Sequence, residues 1–154
     1  MTLHHLNPPS GLEEHPKLGR AYHQMSQLLA ELRTRELSPE VINSINTEVE
    51  AINAETGSEK AQRAKLKKSQ TRILKLIEKE LKLVTKNHYR NLWTALGMSV
   101  FGIPLGVAFG ASLGNMAYLG IGLPIGLAIG MAVGTNMDQK AKEEGRQLDI
   151  ELKS

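Results

Sequence analysis

The sequence predicts an all-α protein in which two short helices and one long helix continue into a two-helix membrane-spanning hairpin. Three observations lead there. In the first half, apolar residues recur at helical spacing between residues that start and stop helices. No Asp, Glu, Lys, Arg or His occurs in the 47 residues from Asn91 to Met137. Within that stretch one sentence is written twice, as "FGIPLGVAFGASLG" at 101–114 and "IGLPIGLAIGMAVG" at 121–134.

At 154 residues the chain has room for a small domain plus a membrane segment. Its net charge of +3 hides an uneven distribution. Residues 1–57 carry 4 basic and 8 acidic side chains, and residues 138–154 carry 4 and 5. Residues 58–90 carry 11 basic and only 3 acidic ones, directly before the apolar stretch. The absence of cysteine excludes a disulfide framework, a thiol nucleophile and a Cys-based zinc site. The opening residues hold no apolar run long enough for a secretory signal, and no lipidation motif is present, so a cytosolic first half is expected.

Each element has its own signal. Residues 1–15 contain Pro8, Pro9, Ser10 and Gly11 and read as a flexible tail. The neighbouring His4 and His5 cannot share one face of a helix or strand, so a metal site there is not expected. Residues 16–57 should form two short amphipathic helices. The first, over Pro16 to Leu37, carries Leu18, Tyr22, Met25, Leu29 and Leu32 on one stripe. Ser38 and Pro39 suit the cap and first turn of the second, whose stripe is Ile42, Ile45, Val49 and Ile52. Gly57 can close that helix and Ser58 can cap the next. Residues 58–91 then read as a long basic helix. Leu66, Ile73, Ile77, Leu81, Val84 and Leu92 lie near one face, and no breaker separates it from the apolar region. It should therefore enter the membrane unbroken, with a kink near Pro104. The narrow stripes suit a bundle or a coiled coil, within one chain or between chains.

Residues 92–137 should be the hairpin, followed by a charged tail at 138–154. A spanning helix needs about 20 apolar residues, and the uncharged stretch supplies roughly two such lengths. Asn115 and Gly120 mark the turn between them. Tyr89, Arg90 and Trp93 fall at the start of the first span and Tyr118 at the turn, depths that suit membrane interfaces. Lys79, Lys82 and Lys86 precede the hairpin, and Lys140 and Lys142 follow it, in reach of anionic headgroups. Basic flanks and an uncharged turn predict a multi-pass protein of the inner (cytoplasmic) membrane with both termini in the cytoplasm. Glycine stands at every fourth position of each copy: Gly102, Gly106, Gly110 and Gly114, then Gly122, Gly126, Gly130 and Gly134. In lipid, helices associate by close backbone approach, which small residues permit. These glycines should form the packing faces, widened by Ala108, Ala111, Ser112, Ala128 and Ala132. "Gly120-Ile-Gly122-Leu-Pro-Ile-Gly126" lacks the spacing and context of a dinucleotide-binding loop.

The segments "GIPLGVAFGASLG" and "GLPIGLAIGMAVG", with the charged tail after them, resemble those of bacterial glycine-zipper transmembrane-hairpin proteins, a resemblance limited to about residues 92–154. It implies a membrane hairpin that tends to oligomerise, and it implies no activity.

No convergent set of polar groups points to catalysis, so neither an enzyme nor a cofactor is expected. The lipid bilayer, further copies of the chain and a cytosolic protein are the expected partners. Nucleic acid is not, because aromatic residues that could stack on bases are nearly absent from the basic helix. Two functions fit: a membrane scaffold or accessory subunit that presents cytosolic helices for protein–protein interaction, or an oligomeric pore. The spans carry few polar groups, which disfavours the pore.

Overall fold

The computed structural model describes residues 2–152. The described residues are helical, without β-strands, in the order α1 (Pro16–Arg33), α2 (Pro39–Asn53), α3 (Glu59–Leu81), α4 (His88–Leu96), α5 (Ile103–Ser112) and α6 (Leu119–Glu143). The chain divides into two compact units. One comprises residues 1–84 and 148–154, and the other comprises Thr85–Gln147.

The first unit is built on α1, α2 and α3. All five apolar residues of the α1 stripe are buried, joined by Leu28. Val41, Ile45, Val49 and Ile52 of α2 and Leu66, Ile73 and Ile77 of α3 complete one core within the chain. The expected caps are present, with Ser38 Oγ accepting from the amide of Val41 at 3.3 Å and Ser58 Oγ from Ala61 at 3.3 Å. α1 stops at Arg33, short of Leu37. The Thr34 hydroxyl donates to the Glu31 carbonyl at 2.7 Å, and Ser38, placed before a proline, is extended.

Two expectations fail in this unit. The chain before α1 is not a flexible tail. Leu3 is only 6 % exposed, and the segment Thr2–Asn7 is tied to α2 by side-chain amides. The third helix does not continue into the apolar region. It ends at Leu81, where Lys82 adopts the left-handed conformation at φ 58°. The Leu83 amide then bonds back to the Ile77 carbonyl at 3.2 Å and the Lys82 amide to Glu78 at 3.1 Å, which closes the helix end without glycine. Leu83 and Val84 are buried rather than carried outward on a helix.

The second unit is a helical hairpin. α4, a π-helical turn at Gly97–Gly102 and α5 form one continuous 25-residue rod from His88 to Ser112. Where a kink near Pro104 is expected, a π turn ends two residues before the proline. Proline has no N–H and its ring crowds the carbonyl four residues back, here Val100 inside the turn. Gly114 (φ 66°) ends α5, Asn115 Oδ1 accepts from the Ala117 amide at 2.9 Å, and a 3₁₀ turn at Met116–Tyr118 leads into α6. Gly120, expected in the turn, lies in α6, and Pro124 lies inside that helix.

The charged region after the hairpin is not a simple tail. α6 continues through Glu143, and beyond it Leu148 is fully buried in the core of the first unit, its amide bonded to the Val84 carbonyl at 2.8 Å. Residues 153–154 of the expected tail and residue 1 lie outside the described residues.

Candidate functional site

The candidate site is the hairpin, and it is organised around its glycines. Gly102, Gly106, Gly110, Gly122, Gly126, Gly130 and Gly134 are all buried in a protein region whose large apolar side chains are exposed. At all of these but Gly110, whose β-carbon would meet Met116 in the turn, one helix backbone lies against the other. A β-carbon on Gly126 would lie 2.5 Å from the Gly102 amide nitrogen and 2.6 Å from its Cα. One on Gly122 would lie 2.7 Å from the Gly106 Cα, and one on Gly106 would lie 2.5 Å from the Leu119 carbonyl oxygen. On Gly130 it would meet Trp93 and Thr94, and on Gly134 it would come within 2.5 Å of Arg90 Cα. Carbon atoms do not approach so closely, so any side chain at these positions forces the helices apart.

Gly114 is the exception among the eight glycines. It is exposed at the turn, where its positive φ ends α5. Gly97, which the every-fourth-residue pattern misses, takes a place in the contact instead. A β-carbon there would overlap the Gly126 carbonyl and lie 2.8 Å from Gly130 Cα. Gly97 precedes Gly102 by five residues, a step that an α-helix would rotate away from the row. The π turn, with its i→i+5 bonding, keeps both glycines on one face. The sequence does carry a signal for this, a spacing of five followed by proline.

At the open end of the hairpin Asp138 joins the two helices. It is 7 % exposed, and its carboxylate accepts from the backbone amides of Tyr89 at 3.0 Å and Arg90 at 2.9 Å. These are first-turn amides of α4, which has no side-chain cap of its own. A carboxylate satisfies such amides and complements the positive end of the helix. Gln147 Nε2 donates to the Asp138 carbonyl at 3.4 Å, and Arg146 Nε pairs with Glu144 Oε2 at 2.7 Å. Asp138 reads from sequence as the first charge after a span. Its role was hidden because its partners lie 48 and 49 residues away.

Tyr89 and Trp93 are half-buried at this open end, with Arg90, Lys140 and Lys142 exposed, and Tyr118 lies exposed at the turn end. Lys86 is exposed ahead of α4, and Lys79 and Lys82 are exposed in the first unit, where Lys79 pairs with Glu80 at 3.2 Å. The Thr94 hydroxyl donates to the Arg90 carbonyl at 2.6 Å and the Ser99 hydroxyl to Ala95 at 3.0 Å, so both polar groups are satisfied along their own rod. Among the described residues, no three His, Asp or Glu side chains gather where they could hold a metal ion.

His88–Ser112 and Met116–Glu143 are each long and apolar enough to cross a membrane, and only 17 % of each apolar window is buried inside the protein. The chain matches no family model, no curated protein and no solved structure.

Proposed function

We propose that the chain is an integral membrane protein. Its glycine-zipper hairpin anchors it, and its helical unit is presented for protein–protein interaction as a scaffold or accessory subunit. The observation that carries this reading is the inside-out arrangement of the hairpin. Val100, Phe101, Ile103, Ile121, Ile125 and Ile129 face outward while the glycines face each other. In water such a surface would be an aggregation site, whereas in hydrocarbon it is the ordinary exterior of a spanning pair. Basic residues at the open end and none at the turn support a topology with both ends of the hairpin on the cytoplasmic side of the inner membrane. Lys79, Lys82, Lys86, Lys140 and Lys142 are the groups proposed to meet anionic headgroups. A homo-oligomer would use the hairpin's outer surface, where Ala108, Ala111, Ala128 and Ala132 stay exposed.

The pore reading draws no support from this geometry. The glycine faces are occupied within one hairpin, and the outer surface offers little to hydrate a lumen. The test uses the absence of native cysteine. Asn115→Cys and Gln139→Cys proteins are expressed in bacterial cells, and membranes are washed at high pH. Retention of the protein, with labelling of position 115 but not 139 by an impermeant maleimide added outside spheroplasts, is expected. Release into the wash would overturn the reading.

A further inference from the structure

The segment Thr2–Asn7 is held on α2 in an unusual way. Asn46 Oδ1 accepts from the His4 amide at 2.7 Å, and Asn46 Nδ2 donates to the Thr2 carbonyl at 3.0 Å. One step along, Asn53 Oδ1 accepts from the Asn7 amide at 2.8 Å, and Asn53 Nδ2 donates to the His5 carbonyl at 3.0 Å. Asn46 and Asn53 are seven residues apart, two turns along one helix face. Each amide does for the arm what a neighbouring strand would do, pairing one N–H and one C=O. Leu3 enters the core, and Arg33 Nη2 donates to the His4 carbonyl at 3.1 Å. The groove thus reads backbone N–H and C=O groups plus a leucine.

Three features make this arm exchangeable. Its bonds are made to helix side chains, so releasing it leaves α1 and α2 intact. It covers the groove incompletely, leaving a cleft of about 760 Å³ lined by Leu3, His5, Leu32, Arg35 and Ile42 among others. Its hinge contains Pro8 and Pro9, which have no amide to donate and favour extended chain, then Gly11 at φ 82°. The eight residues between Asn7 and Pro16 would reach up to about 28 Å if straightened.

We infer that this groove is an interface between copies of the chain, in which Thr2–Asn7 of a second copy takes the place of the groove's own arm. The second copy is the occupant whose fit is already displayed, since every contact made within one chain is available between two. Exchange of an identical element is a low-cost route to association. The inference does not depend on membrane insertion, because exchange can be read in whichever fraction holds the protein.

The test is cross-linking of full-length protein in cells, with no native cysteine to interfere. His4 and Glu50 pair across the arm and groove at 3.0 Å, and both are exposed. Two differently tagged chains, one with His4→Cys and one with Glu50→Cys, are co-expressed and treated with a short bismaleimide. A heterodimer is expected at several times the yield given by replacing Glu50→Cys with Gly120→Cys, a site in the other unit. It should drop several-fold when Asn53→Ala is added to both chains, and likewise when an excess of a synthetic peptide of residues 2–7 is added to lysed membranes. If a chain carrying both cysteines cross-links to itself while the mixed pair gives only control-level heterodimer, the inference is overturned. It is equally overturned if the heterodimer is insensitive to both Asn53→Ala and the peptide, since the cross-link then reports crowding.

Discussion

The two units bury opposite kinds of residue. In the bundle, Leu28, Leu32, Ile45 and Ile77 are inside and polar side chains cover the outside. In the hairpin, glycines are inside, and Val100, Ile103, Leu113 and Ile121 are outside. On the proposed membrane reading, both arrangements follow from the surroundings each helix must satisfy. In water, a core gains by removing apolar area from solvent, so large side chains fill it. In hydrocarbon, leucine gains little by exchanging one apolar neighbour for another, and close backbone contact becomes the remaining source of attraction.

The strongest way to break this comparison is to run the same exchange in opposite directions. Leu29→Gly in the bundle removes a buried side chain from a helix interior. It should cost about 3–6 kcal/mol, combining the cavity of a large-to-small change with the helix penalty of glycine. Gly126→Leu in the hairpin adds the same side chain where backbone atoms already touch, and the hairpin should lose its packing altogether. Hydrogen exchange of the full-length protein in mild detergent, read peptide by peptide, separates the two. Leu29→Gly should release residues 16–81, and Gly126→Leu should release residues 88–143. A hairpin that accepts Gly126→Leu with unchanged protection would show that its helices do not pack on their backbones.

Asp138→Ala sharpens the comparison at the place where a charge does enter the hairpin. Two amides of α4 lose their acceptor while the glycine contact is untouched. By analogy with helix caps, the change should cost about 1–2 kcal/mol. Faster exchange should be confined to the first turn of α4. If protection at residues 89–92 does not change, water or another group serves those amides equally well.

How much of this is legible in the sequence differs between the units for physical reasons. The α1 stripe and both serine caps are local patterns, and the structure contains them as the spacing predicts; on α2, Val41 rather than the expected Ile42 is buried with Ile45, Val49 and Ile52. The repeat of glycine every fourth residue is equally local, but a regular period cannot reveal Gly97, whose step of five needs a π turn. The end of α3 is invisible in sequence because Lys82 carries no breaker signal. A lysine in the left-handed region is selected there by the burial of its neighbours Leu83 and Val84. Asn46, Asn53 and Leu148 give no sequence signal for a shared reason. Their partners are Thr2–Asn7, or a core assembled from distant helices, and no spacing along the chain reports contacts of that range.

The bundle has its own charged contact, and it supplies a pH test. The Ser69 hydroxyl donates to Glu48 Oε2 at 2.6 Å, and Arg72 pairs with Oε1 at 3.0 Å. Partial burial opposes ionisation of Glu48, but those two hydrogen bonds, with the charges of Arg72 and Lys65, outweigh it and hold the carboxyl below the ordinary glutamate range. A carboxyl that is more acidic folded than unfolded stabilises the fold above the unfolded value. That contribution fades as the pH falls through the unfolded value toward the folded one. Protection of α2 and α3 should therefore weaken below about pH 4.5, and Glu48→Gln should flatten that part of the profile. An unchanged profile in the variant would assign the acid sensitivity to other carboxyls.

The smallest effect comes from two glycines of one helix. Gly120 and Gly122 sit two positions apart in α6 and face different surroundings. A β-carbon on Gly122 would run into the Gly106 backbone, whereas one on Gly120 would meet nothing within 4 Å. Alanine is the better helix former by about 1 kcal/mol in water. Gly120→Ala should therefore raise the thermal midpoint slightly, while Gly122→Ala should lower it despite the same gain in propensity. The difference in midpoint between these two variants, measured in one detergent, isolates backbone contact from helix propensity. Equal shifts would mean that propensity alone governs glycine in this hairpin, and the close approach of its helices would then contribute nothing to its stability.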